Sequence, residues 1–179
     1  MKNKLLIFLF IILFITGCNR MNKPSNEVEK LFINYNSLNS EVLMQLDSVL
    51  ESENLTDVQK DKYKTILKKQ YEDLKYNILN EEISTDTAVV SVEIEVYNLN
   101  KAIEQANKYL EENKEEFYND EELDNEKFKD YKLDSMLSMN ERTNYILELT
   151  LTNIDNKWHL DDLLESDRQK IHGLYKNEI

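Results

Sequence analysis

The chain of 179 residues contains 22 Lys and Arg against 35 Asp and Glu, a formal net charge of −13 at pH 7. This charge argues against unaided binding to a nucleic-acid backbone or an anionic membrane surface, because both attract Lys and Arg. One cysteine excludes an internal disulfide and a cysteine-based metal cluster, and two glycines leave no glycine-rich phosphate loop. The length fits one domain.

The start of the chain has the pattern of a secretory signal peptide. Lys2 and Lys4 make a short basic region, and an almost purely apolar run follows from Leu5 to Ile15. The run is too short for a transmembrane helix, which needs about 20 residues to cross roughly 30 Å of hydrocarbon. Residues 1–17 are therefore predicted to be a signal peptide that is removed.

The segment Ile15–Cys18 resembles the bacterial lipobox, in which the cysteine thiol receives a diacylglyceryl group and the chain is cut just before it. The resemblance implies that Cys18 is the lipid-attachment residue and that the mature chain is anchored at the extracytoplasmic face of the cell membrane. Two acyl chains anchor stably, since each buried CH₂ contributes about 0.8 kcal/mol. Residues 18–26 are predicted to be a lipidated tether and residues 27–179 a single domain. The alternative is an uncleaved anchor with an incidental cysteine.

The first third of the mature chain is predicted to be helical. Apolar residues recur at helical spacing after Pro24, after Ser40 and after Thr56. Thr56 and Gln59 match a capping box, in which the Thr hydroxyl accepts the backbone N–H of Gln59 and the Gln side chain reaches back. These residues predict a helix start at Thr56.

After this helix, the spacing between apolar residues changes from that of a helix to that of a strand. Apolar and polar residues alternate over Ala88–Tyr97, and Tyr76–Ile83 is expected to pair with it across a short turn. Tyr145–Thr152 alternates in the same way. Lys157–Asp161 is expected to return beside it after a turn at Asp155-Asn156, since both residues tolerate a positive φ.

Helices are also predicted from Leu99, near residues 126–138 and at the end of the chain, where Ser166 and Gln169 match a second capping box. The acidic segment Glu111–Glu126 is interpreted as a helix end followed by a solvated loop. Its carboxylates are oxygen ligands of the kind that Ca²⁺ prefers, so weak divalent binding stays open. The segment lacks the glycine that a calcium loop needs at its sixth position.

Helices followed by amphipathic antiparallel strands predict an α+β fold. This order, ending at Tyr145–Asp161, resembles the cone-shaped fold of nuclear transport factor two and its relatives, the cystatin-like group. With the lipobox at Cys18 and the helix Thr56–Leu74 leading into Tyr76–Tyr97, the chain more narrowly resembles uncharacterised lipoproteins of Gram-positive bacteria. The resemblance implies N-terminal helices packed on a curved antiparallel sheet, and no agreed activity.

No residue is predicted to be catalytic, metal-binding or cofactor-binding. Enzymes with the cone-shaped fold, such as ketosteroid isomerase and the SnoaL-like cyclases, resemble one another in an apolar pocket with an acidic base and hydrogen-bonding Tyr or Asp. Here Glu93, Glu95 and Glu148 alternate with the apolar faces of their strands, so they are expected to face away from the core. His159 is expected to face solvent, and His159 with His172 makes no zinc site without a third ligand.

Five aromatic residues could line a pocket but are expected in the core at these spacings. They are Tyr35, Tyr71, Tyr97, Tyr145 and Trp158. Tyr97 is the exception, because it falls on the strand face opposite the apolar stripe and could instead pack under the neighbouring helix.

These features favour a lipid-anchored extracytoplasmic domain that binds a protein partner or a small ligand, without catalysis, at the open end of the cone. The alternatives are an enzyme that uses the cone as its pocket and a purely structural surface protein. An enzyme needs a buried carboxyl with a shifted pKa, whereas a binding module needs an exposed apolar or aromatic patch. No cofactor and no nucleic-acid partner is expected, and Cys18 is the predicted contact with the membrane.

Overall fold

The computed structural model describes residues 22–176, so the predicted signal peptide and the predicted lipid-attachment residue Cys18 lie outside the described residues. In chain order, its elements are α1 (Pro24–Asn36), α2 (Ser40–Ser52), α3 (Asp57–Glu72), β1 (Lys75–Ile83), β2 (Thr87–Tyr97), α4 (Leu99–Glu112), α5 (Lys114–Phe117), β3 (Tyr118–Asn119), β4 (Glu122–Leu123), α6 (Asn125–Leu137), β5 (Arg142–Ile154), β6 (Lys157–Leu160) and α7 (Glu165–His172). The predicted α+β class and the four predicted strand segments are confirmed.

The main sheet is antiparallel and has the strand order β1-β2-β5-β6. Val92 lies opposite Leu147 in the central pair, and both side chains are fully buried. The turn between β5 and β6 is made by Asp155 and Asn156, which have φ values of 51° and 59° as predicted. Since β1 and β6 form the two edges, the sheet is not closed on itself, and the predicted cone is not confirmed.

One face of this sheet carries the core and the other faces outward. On β2, Val90 and Ile94 are fully buried, whereas Glu93 and Glu95 on the opposite face are partly exposed. On the outward face, the Ser91 hydroxyl donates to the Glu148 carboxylate over 2.6 Å. The predicted orientation of the three glutamates is therefore confirmed, and the helices pack on one side of the sheet.

Local signals determine where α1 and α3 begin. Pro24 occupies the first turn of α1, where its fixed φ suits a helix and its missing N–H leaves no bond unmade. The helix therefore begins inside residues 18–26, the segment predicted as tether. At α3 the capping box of Thr56 and Gln59 is present as predicted.

The prediction of a second capping box, at Ser166 and Gln169, is wrong. Helix α7 begins at Glu165, and Leu164 precedes it as the N-cap without a side-chain hydrogen bond. Ser166 lies inside the first turn, where its hydroxyl is no longer placed to accept the N–H of Gln169. The helix begins earlier than its polar pattern suggests because Leu164 already has the extended backbone of a cap.

The acidic segment is more ordered than the predicted helix end and loop. It contains the single turn α5 and the small β3–β4 hairpin, which reverses at Asp120 and Glu121 with positive φ. Phe117 provides the physical reason, since it is buried against Ala106 and Phe128 in a satellite cluster. Burial of the Phe117 side chain thus orders a segment whose charge pattern is typical of a solvated loop.

Candidate functional site

An apolar pocket of about 390 Å³ opens between α3, α4, α6 and the chain end. Tyr63 comes from α3, Ile103 from α4, and Leu133 and Met136 from one stripe of α6 at a helical i, i+3 spacing. The lining residues are Glu53, Asn54, Leu55, Tyr63, Ile103, Lys129, Lys132, Leu133, Met136 and Leu174. We call this site the apolar pocket.

The Tyr63 hydroxyl is a neutral polar group in the lining of the apolar pocket. Burial, with the Glu53 carboxylate as a smaller cause, raises the pKa of Tyr63 to about 12. The phenol is therefore protonated at neutral pH and can donate a hydrogen bond. It has no hydrogen-bond partner among residues 22–176, so this donor is available to a molecule in the pocket.

Two half-buried lysines of α6 make the rim of the apolar pocket locally basic. Lys129 Nζ donates to the Asn54 carbonyl over 2.5 Å, which ties α6 to the loop after α2. Lys132 Nζ lies 5.0 Å from the centre of the Phe128 ring. Glu53 is the one acidic residue of the lining, so two cations face one anion in a chain that is strongly acidic elsewhere.

A second concave region, of about 460 Å³, lies between α1, α2 and α7. Its floor is aromatic: the ring centres of Tyr35 and Tyr71 are 5.0 Å apart, and those of Tyr71 and His172 are 5.6 Å apart. The lining residues are Leu31, Tyr35, Glu41, Val42, Gln45, Leu46, Ser48, Val49, Tyr71, Leu160, Asp161, Asp162, Leu163, Arg168 and His172. We call this site the tyrosine groove.

Burial sets the protonation states on the floor of the tyrosine groove. It raises the pKa of Tyr35 and of Tyr71, so both phenols stay protonated. It lowers the pKa of His172 to about 4, with the Arg168 cation contributing and the Glu165 carboxylate opposing. At neutral pH the imidazole is therefore uncharged and offers one nitrogen as an acceptor.

The carboxyls that line the tyrosine groove, Glu41, Asp161 and Asp162, are all exposed. The one buried carboxyl of residues 22–176, Asp167, lines a different cavity of about 250 Å³. Its Oδ1 lies 3.3 Å from Lys170 Nζ, which offsets the cost of burying its charge. The arrangement expected of an enzyme, a buried carboxyl facing tyrosine hydroxyls, is therefore not assembled at this groove.

The five aromatic residues singled out in the sequence differ in burial and in the sites that they line. Tyr35, Tyr71 and Trp158 are buried, and the two tyrosines also line the tyrosine groove. Tyr145 is partly buried, and its hydroxyl donates to the Tyr175 carbonyl over 3.2 Å. Tyr35 and Tyr71 therefore belong to the core and also line a concave site.

Tyr97 packs against a helix, as predicted. The Lys69 ammonium of α3 lies 3.7 Å from the centre of its ring, and its hydroxyl donates to the Asp73 carboxylate over 2.8 Å. The Arg142 guanidinium lies 4.5 Å from the same ring. Cation–π contacts and hydrogen bonds therefore hold this residue at the end of β2.

The histidines and the acidic segment do not form a metal centre in the part of the chain that is described. His159 is exposed on β6, as expected, whereas His172 is partly buried in the tyrosine groove. Within residues 22–176, no group of three His, Cys, Asp or Glu side chains is placed to hold a metal ion.

The apolar pocket was not predicted from the sequence. Its residues come from several helices and connecting segments that are far apart in the chain, and each apolar stripe taken alone is typical of a core. The paired lysines Lys129 and Lys132, on an otherwise acidic chain, are the signal that could have indicated it.

No family model and no curated protein matches the chain. Among solved structures, it is similar to the crystal structure of ycdA from Bacillus subtilis, described as a "putative lipoprotein", with 13% sequence identity and a TM-score of 0.41. That match covers 96% of this chain and 55% of the other, so the chain spans about half the length of that protein.

None of the helices within residues 22–176 is both long enough and apolar enough to cross a bilayer.

Proposed function

We propose that the mature chain is a lipid-anchored extracytoplasmic domain that binds a small ligand with an apolar body in the apolar pocket, without catalysis. The observation that carries this proposal is the pocket itself. Its volume of about 390 Å³ falls in the range of roughly 300–1,000 Å³ that small-molecule sites occupy. Its walls are mainly Leu, Ile, Met and Tyr side chains, with few polar groups that could orient a ligand.

The polar groups of the pocket favour a ligand with an anionic or hydrogen-bond-accepting end. Tyr63 contributes an unpartnered hydroxyl, and Lys129 and Lys132 contribute cations at the rim. A partly desolvated lysine binds a carboxylate or phosphate group more strongly than a lysine in bulk water does. An amphiphile, whose apolar body enters the pocket while its anionic end stays at the rim, satisfies both requirements.

The absence of catalysis is part of the proposal and rests on the placement of the acids. Glu53 at the apolar pocket is exposed, and the buried Asp167 is paired with Lys170 in another cavity. A general acid or base needs a shifted pKa beside the reacting group, which desolvation provides. The enzyme alternative would need a substrate-induced rearrangement to bring such an acid to Tyr63.

A fold relation to the cystatin-like group remains a hypothesis within this proposal. Its support is the order of N-terminal helices, an antiparallel sheet and a Trp-bearing β5–β6 hairpin followed by one last helix. A protein partner, the other predicted occupant, would have to insert an apolar side chain into the same pocket.

The anchor can be tested by replacing the predicted lipid-attachment residue. We expect Cys18→Ser to release the protein from membranes or to leave an unprocessed precursor, because serine has no thiol to receive the diacylglyceryl group. Cell fractionation with immunoblotting measures both outcomes. A Cys18→Ser protein that stays in the membrane at mature size would show that the lipoprotein prediction is wrong.

Ligand binding can be tested by filling the pocket with a larger side chain. Ile103 is partly buried, and tryptophan at this position would occupy space that the ligand needs. We expect Ile103→Trp to weaken binding of decanoate to the unlipidated mature chain at least about tenfold, or 1.4 kcal/mol. Isothermal titration calorimetry measures the affinity.

The matched control is Ile33→Trp, because Ile33 is also a helical isoleucine but is 54% exposed on α1, away from the pocket. This variant should bind decanoate as the wild type does. Decanol, which has the same apolar body and no charge, should bind more weakly than decanoate. Equal affinities of Ile103→Trp and wild type would contradict the proposed site.

A further inference from the structure

We infer that the tyrosine groove is a second binding site, separate from the apolar pocket, and that it takes the primary ammonium group of a small ligand. The inference is independent of the proposed function, since the two sites share no lining residue. It rests on two observations, namely unpartnered hydroxyls on the floor of the groove and an excess of acceptors and negative charge around them.

The first observation concerns the hydroxyls of Tyr35 and Tyr71. These residues are 5% and 2% exposed, and neither hydroxyl has a hydrogen-bond partner within residues 22–176. Neither oxygen is fully buried, because neither belongs to the buried side-chain atoms that lack a hydrogen bond. Both oxygens therefore keep some solvent exposure, and both side chains line the groove. Two unpaired hydroxyls on buried residues at one site call for a partner, and a ligand bound in the groove would supply one.

The second observation is the balance of donors and acceptors. The neutral imidazole of His172 offers one acceptor nitrogen, and the carboxylates of Glu41, Asp161 and Asp162 offer acceptors only. The one cation of the lining, Arg168, lies 3.7 Å from the Glu165 carboxylate. Three carboxylates against one guanidinium disfavour an anionic ligand at this groove.

An ammonium group has the complementary chemistry. It carries three donors, no acceptor and a positive charge, so it can donate to the phenol oxygens, which accept hydrogen bonds as well as donate them, to the imidazole nitrogen and to carboxylates. The aromatic rings of the floor add an attraction for a cation that they do not offer to a neutral alcohol. Asp161 already accepts from the Thr152 hydroxyl over 2.9 Å, which leaves Glu41 and Asp162 as the carboxylates most available to a ligand.

The test compares three probes of equal length, namely n-butylammonium, n-butanol and butyrate. Each is titrated into the unlipidated mature chain carrying ¹³C-labelled tyrosine rings, and NMR chemical shifts are recorded. We expect butylammonium to shift the signals of Tyr35 and Tyr71 with saturation, at an affinity at least about fivefold above that of butanol. Butyrate should leave these signals in place.

Variants show whether the ammonium group binds at the groove itself. The double change Tyr35→Phe with Tyr71→Phe removes only the two oxygens and should weaken butylammonium binding at least about fivefold. The matched control is Tyr118→Phe on exposed β3. If the double variant does not fold, Asp162→Asn on the exposed rim supplies the same test and should also weaken butylammonium binding. Ile103→Trp, which changes the apolar pocket, should leave butylammonium binding unchanged. Equal binding of butanol, preferential binding of butyrate, or full affinity in Asp162→Asn would overturn the inference.

Discussion

Replacing Trp158 with alanine should lower the free energy of unfolding by about 3–5 kcal/mol. Trp158 lies on β6 opposite Asn153, is 8% exposed and belongs to the main hydrophobic core. Its removal loses the burial of a large aromatic surface and leaves a cavity that the surrounding sheet and helices can only partly close. Chemical denaturation followed by circular dichroism measures the change.

Ile146 supplies the control for this prediction. It lies on β5 in the same sheet but is 53% exposed on the outward face. We expect Ile146→Ala to cost less than about 1 kcal/mol, because little burial is lost. An unchanged stability of Trp158→Ala would instead place this tryptophan on the surface and make it a candidate contact residue.

Gly173→Ala should lower the free energy of unfolding by about 3 kcal/mol or more. Gly173 ends α7 in the left-handed conformation, with φ at +70°. A Cβ added there would lie 2.1 Å from the Tyr97 carbonyl oxygen and 2.3 Å from Gln70 Nε2. The substitution therefore combines an unfavourable φ with a clash against backbone.

The clash involves a buried structural contact. Gln70 is 1% exposed; its Oε1 accepts the N–H of Tyr97 over 2.9 Å, and its Nε2 donates to the Tyr97 carbonyl over 3.1 Å. Displacing this amide would leave buried polar groups unpaired. Gly173→Asn separates the two causes, since asparagine tolerates the left-handed region but also carries a Cβ. A fully stable Gly173→Ala, measured by thermal unfolding, would contradict the close approach.

The strands and the first capping box could be predicted because their signals are local. Alternation over Ala88–Tyr97 depends only on which side chains face the core, and Thr56 and Gln59 are three residues apart on one turn. Ser166 shows the limit of the same reasoning. Ser166 and Gln169 have the same spacing as that capping box, but the helix starts at Glu165, directly after the extended backbone of Leu164.

The candidate sites could not be predicted because they depend on tertiary placement. Tyr63 and Tyr71 both lie on α3 and are typical core residues by spacing, yet they line two different sites. Phe117 is a similar case, since its burial against Ala106 and Phe128, which flank the acidic segment, depends on how α4 and α6 pack. Sequence periodicity indicates which side chains are buried, but not where the packed elements leave a space.

A methyl NMR titration of the unlipidated mature chain with decanoate is the sharpest test of a ligand site at the apolar pocket. With ¹³C-labelled Ile, Leu and Met methyl groups, we expect saturating shifts at Ile103, Leu133 and Met136, and unchanged signals at the exposed Ile33 and Ile146. Shifts confined to the exposed methyl groups, or no shifts at all, would contradict a ligand site at the apolar pocket.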